Sequence, residues 1–76
     1  MTELSEKVLK LTTQLIGPAS KKFLERQTIS HMNGLNFDAL EPKHLAELAK
    51  WVEISAGLII KPEVAKGLAQ KISALT

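Results

Sequence analysis

Apolar residues in this chain recur at spacings of three and four, and no segment shows the strict alternation of a half-buried strand. Leu4, Val8, Leu11 and Leu15 follow one another at four, three and four, which is one face of a helix with 3.6 residues per turn. Leu45, Leu48, Val52 and Ala56 repeat the pattern, with Ala49 beside them, and so do Val64, Leu68, Ile72 and Leu75, flanked by Ala65 and Ala69. That period restricts the chain to an all-α fold. The expectation is one domain over residues 1–76, a compact bundle of three to four helices.

Helix-stop and helix-start residues place the boundaries. Thr2 can cap the first helix, and Glu3 and Glu6 lie in its first turn, where the helix dipole favours negative charge. Gly17-Pro18 then interrupts the first long segment, because proline lacks an N–H and clashes with the carbonyl four residues back. The helix either stops near Ile16 and restarts with Pro18 at its first position, or it kinks there. With either outcome the apolar side resumes at Ala19, Phe23 and Leu24. Asn33-Gly34 ends the second segment, and Leu35, Phe37 and Leu40 form a connector expected to plug the core from the side. Asp38 with Glu41 fits a variant of the capping box, and Pro42 falls in the first turn of the third helix. Gly57 marks the end of that helix and Lys61-Pro62 the start of the last. Gly67 inside the last helix costs on the order of 1 kcal/mol relative to alanine, which a close backbone approach would explain.

Composition narrows the function classes. Seventy-six residues bury a small core, and there is no cysteine to staple it. The same absence removes thiolate zinc sites and cysteine nucleophiles, and it favours a reducing, cytoplasmic location. Met1 to Glu6 is acidic and amphipathic, so no signal peptide is expected, and Ala56-Gly57-Leu58-Ile59-Ile60 is too short to span a bilayer. The net charge of +2 is the small difference between ten Lys/Arg and eight Asp/Glu. Three aromatic residues, Phe23, Phe37 and Trp51, give bases few platforms to stack on, which argues against nucleic acid.

Few residues suggest chemistry. Asp38, Glu41, His44 and Glu47 are spaced by threes, and Glu41 with His44 makes one Glu-x-x-His unit. Di-metal bundles need two such units and two further carboxylates, so capping and solvation account for this run better than a metal. His31 beside Met32 points in a different direction along a helix from its neighbour, which argues against haem ligation. No nucleophilic triad can be drawn, and no enzyme activity, cofactor or metal is expected. Ser20, Lys21, Lys22 and Arg26 follow the Gly17-Pro18 break, and a helix start with lysines could hold an anion. Lys21 is placed to pair with Glu25 at i, i+4. A helix-turn-helix drawn from the last two helices presents lysines but no arginine to read guanine.

The strongest functional signal is aliphatic excess. Trp51, Ile54, Leu58 and Ile59, with Ile60 beside them, exceed what a small bundle needs for one contact. Exposed apolar patches mark interaction surfaces. The expected role is therefore a protein-interaction or assembly module using Trp51, Ile54, Leu58 and Ile59, with a homodimer as the first partner considered. The competing class is an anion or nucleic-acid binder using Ser20, Lys21, Lys22 and Arg26.

Leu11 to Leu24, with Leu15-Ile16-Gly17-Pro18-Ala19 and then Phe23-Leu24, resembles short helical Gly-Pro-containing modules that accompany bacterial and archaeal signalling proteins. In such modules a helix reaches Gly-Pro, continues with alanine and is followed by a second helical pair. The resemblance implies an auxiliary interaction role with no catalytic residues to carry over. This chain departs from the pattern in having Ala-Ser-Lys-Lys after Pro18 in place of an apolar run.

Overall fold

Thr2 opens the first helix. Its hydroxyl oxygen accepts the Ser5 N–H at 3.1 Å, and α1 (Glu3–Ile16) runs from that cap in the computed structural model, which describes residues 2–75. Gly17 ends it. With φ 84° and ψ −151°, this residue sits in a region that only glycine enters without strain. A single 3₁₀ turn over Gly17–Ala19 carries Pro18, and α2 (Ser20–His31) follows. The first long segment is thus broken rather than kinked, and the second helix restarts at Ser20. Leu24 resumes the core face, whereas Ala19 faces solvent.

Left-handed Asn33 (φ 57°) and Gly34 (φ 72°) turn the chain after α2. The Gly34 N–H reaches back to the Ile29 carbonyl at 3.2 Å, satisfying an acceptor that the helix end would leave open. The connector then winds two short 3₁₀ turns, Phe37–Ala39 and Pro42–His44, before α3 (Leu45–Ala56). Asp38 is not a cap of α3. Its own N–H donates to the Asn36 side chain at 2.9 Å, in a separate turn. Glu41 precedes the second turn, and its N–H donates to Nδ1 of His44 at 3.0 Å. Phe37 and Leu40 are fully buried, as a core plug requires. Two bonds from Thr2, N–H to the Asp38 carbonyl at 3.2 Å and hydroxyl to the Leu40 carbonyl at 3.1 Å, tie the start of α1 to this connector.

Lys61 and Pro62 open α4 (Pro62–Ser73), which packs against α3 more extensively than any other pair of helices meet. Ala49, Val52 and Ala56 of α3 and Ala65, Leu68, Ala69 and Ile72 of α4 are all buried. Small side chains at such a contact let two helix axes approach closely. The buried stripe of α4 therefore starts at Ala65, and Val64 is exposed. Nor does Gly67 mark a close approach: no atom outside its own helix backbone and chain neighbours lies within 4 Å of where its Cβ would stand.

Val8, Leu24, Leu48 and Val52 complete the centre. Thr12 and Thr28 are buried beside them, each hydroxyl donating to a carbonyl of its own helix. The radius of gyration, 10.8 Å, lies slightly under the roughly 11.4 Å typical of a folded chain of this length. Aliphatic side chains left outside are therefore not a sign of loose packing. Among the described residues no helix is long and apolar enough to cross a membrane.

Candidate interaction surface

The end of α3 decides which aliphatics face water. After Ala56 the backbone tightens: Leu58 N–H bonds to the Ser55 carbonyl at 3.2 Å, and Ile59 and Ile60 N–H groups both reach the Ala56 carbonyl, at 2.9 and 2.8 Å. These bonds close the turn and set which way its side chains face. Ile60 turns back against the core. Leu58 and Ile59 point outward and are 88% and 61% exposed.

The four residues that the sequence singles out for partner binding divide into two kinds. Ile54, one turn before Leu58, is exposed with it. Trp51 is not part of the open patch: it is half buried and packs against the core. His31 stacks on its ring at 4.1 Å between centroids and 10° between planes, and Lys50 Nζ lies 5.3 Å from the ring centroid. His31 is thereby explained as a stacking partner of Trp51, while the adjacent Met32 is buried in the core.

Leu58 and Ile59 form one wall of a groove whose other wall is α2. One cleft of about 450 Å³ is lined by Phe23, Arg26, Ser30 and His31 from α2 and by Ser55, Leu58 and Ile59 opposite. A second, of about 370 Å³, shares Phe23, Arg26 and Ile59 and continues toward Lys22, Ala19 and Ile16. Gln27 lies beneath the first cleft, almost fully buried. Its amide is satisfied at both ends: Ser55 Oγ donates to Oε1 at 2.8 Å, and Nε2 donates to the Phe23 carbonyl at 3.2 Å. The Ser55 bond links α3 to α2 beneath the groove. A further open cleft along α1, of about 420 Å³, mixes Glu6 with Lys10 and holds no strongly exposed aliphatic.

The residues expected to hold an anion do not converge on one point. Ser20 is buried and its hydroxyl donates to the Gly17 carbonyl at 2.7 Å, so it is not available to a ligand. Lys21 stands 4.0 Å from Asp38 Oδ1, too long for a hydrogen bond, and this contact replaces the expected pairing with Glu25. Lys22 and Arg26 are exposed on the groove. Among the described residues neither has a carboxylate within 4.0 Å, and no Asp or Glu lines either cleft of the groove.

Ile29, 58% exposed and one turn beyond Arg26, escaped the sequence reading. The only available signal was its place among polar residues on α2. Among the described residues no three His, Asp or Glu side chains come together as a metal site would need. Comparison of the chain with protein-family models, with curated proteins and with solved structures finds no match in any of the three.

Proposed function

We propose that this chain is an interaction module that docks another protein against the corner formed by α2, the end of α3 and the turn after it. The observation that carries the reading is the outward presentation of Leu58 and Ile59 on a bonded turn of an otherwise well-packed chain. Two adjacent aliphatics held in water cost solvation free energy that a partner would recover. Trp51 stacks on His31, which lines the groove, and no catalytic step enters this reading.

Self-association is the less favoured form. A two-fold axis through the part shared by the two clefts would set Arg26 of one copy near Arg26 of the other, and like charges across an interface are unfavourable. The test is site-specific photo-cross-linking in the source cells, with the reactive residue in place of Leu58 or, as a control, of exposed Lys43 in the turn that precedes α3. A discrete adduct from position 58 and none from position 43 is expected. An adduct of twice the chain mass identifies a second copy as the partner. No adduct, or the same adducts from both positions, refutes the proposal.

A further inference from the structure

We infer that the occupant of this groove is an amphipathic helical segment of another protein, with acidic residues flanking its apolar stripe; the inference rests on the interaction role proposed above. Shape is the first argument. The groove starts beside Ala19 and follows the whole of α2, the twelve residues Ser20–His31 and so about 18 Å of helix. That length matches about three turns of a docked helix, laid in as amphipathic helices are when they bind grooves.

Charge is the second argument, and it selects among such helices. Phe23, Leu58 and Ile59 offer apolar surface, while among the described residues Lys22 and Arg26 supply the only fixed side-chain charges along both clefts. On a chain with eight acidic residues against ten basic ones, a groove without a single carboxylate differs from the surface around it. Lys22 and Arg26 are four apart on α2, one turn of helix, so a ligand helix lying along the groove could meet them with acids spaced by one turn of its own. Arginine can take a carboxylate bidentately, which adds geometry to the attraction. Neither cation has a carboxylate within 4.0 Å among the described residues that a ligand would have to displace.

A flat bilayer fits this arrangement less well. Lys22 and Arg26 line a cleft between α2 and Ile59, and only Arg26 shares a cleft with the protruding Leu58, so the two cations do not ring it. The groove also lies over buried Gln27, and a helix covering it would not have to satisfy that amide, which is already bonded at both ends.

The test is selection of random peptides of about sixteen residues, about 24 Å as a helix, displayed on phage against the whole chain at physiological ionic strength. Enriched sequences are expected to carry Asp or Glu beside apolar residues spaced three and four apart. Their affinity can be read from the emission of Trp51, the only tryptophan, because its ring stacks on His31 of the groove. Lys22→Glu with Arg26→Glu, and separately Leu58→Ala with Ile59→Ala, are each expected to weaken binding at least about tenfold. All four side chains are exposed, so cooperative melting should survive, and Arg26→Gln serves as the milder variant if it does not.

Enriched peptides without acids, lost on changing Leu58 and Ile59 but indifferent to the charge reversal, overturn the acidic specificity and leave the interaction role standing. No enrichment, while position 58 still cross-links to a protein, overturns the helical segment alone. No enrichment and no cross-link overturns both. Binding to vesicles of phosphatidylserine and phosphatidylcholine with no peptide enriched, abolished by the same variants, makes the groove a membrane-facing surface and overturns the inference.

Discussion

Replacing Gly67 by alanine is expected to stabilise the protein, and the size of the gain follows from where Gly67 sits. It is the sixth residue of the twelve in α4, away from either cap. Its backbone is not among those with positive φ, so alanine adopts the same conformation without strain. Apart from its own helix backbone and chain neighbours, no atom stands within 4 Å of the added Cβ, so the methyl group displaces nothing. Mid-helix glycine is about 0.8–1.0 kcal/mol worse than alanine, partly because it leaves the unfolded chain freer. For a domain of 60–100 residues, 1 kcal/mol moves the melting midpoint by about 4–8 °C. An increase of about 3–8 °C in the midpoint, followed by circular dichroism, is therefore expected. Urea denaturation should give the same free energy with an unchanged m-value, since the buried surface is nearly the same. A midpoint that falls, or does not move, refutes the reasoning. It would mean that something approaches this face of α4 in solution as the sequence alone had suggested.

Gly17→Ala should act with the opposite sign, costing about 1–3 kcal/mol, because φ 84° and ψ −151° belong to glycine; the same thermal melt measures it. Ser55→Ala removes the hydrogen bond that Ser55 donates to Gln27 Oε1 and should cost about 1–3 kcal/mol in urea denaturation. Adding Gln27→Leu should cancel part of that loss, since an unpaired acceptor no longer remains. Leu48→Ala opens a cavity at a fully buried position and should cost about 2–5 kcal/mol, with m unchanged if the fold persists. Leu58→Ser, by contrast, should leave the unfolding free energy from urea denaturation within about 0.5 kcal/mol of the parent, because so little of Leu58 is covered.

Features set by neighbours along the chain could be read from the residues alone. Thr2 caps α1, Asn33-Gly34 reverses the chain after α2, and Pro62 lies in the first turn of α4, because each depends on backbone groups three to five residues away. Gly17-Pro18 announced an interruption for the same reason. Only the backbone dihedral of Gly17 decided between a stop and a kink. The all-α class followed from periodicity, which is itself a local property.

Features that depend on what lies across the bundle needed the tertiary structure. Trp51 and Leu58 are seven apart, two turns of a helix, and periodicity gives them one stripe. Trp51 is covered because His31 of α2 lies on its ring, and Leu58 is bare because α2 and the following turn leave a groove there. Lys22 and Ile59 are distant in sequence and carry no local signal of their meeting, yet the packing of α2 beside the end of α3 sets them on one cleft. Ser20, read as a ligand for anions, and Lys21, read as a partner of Glu25, were redirected by Gly17 and Asp38. The sequence determined which segments are helices and where they end, because hydrogen bonding and capping act over one turn. Which apolar and basic side chains share a surface was decided only by packing, because burial belongs to pairs of helices rather than to one.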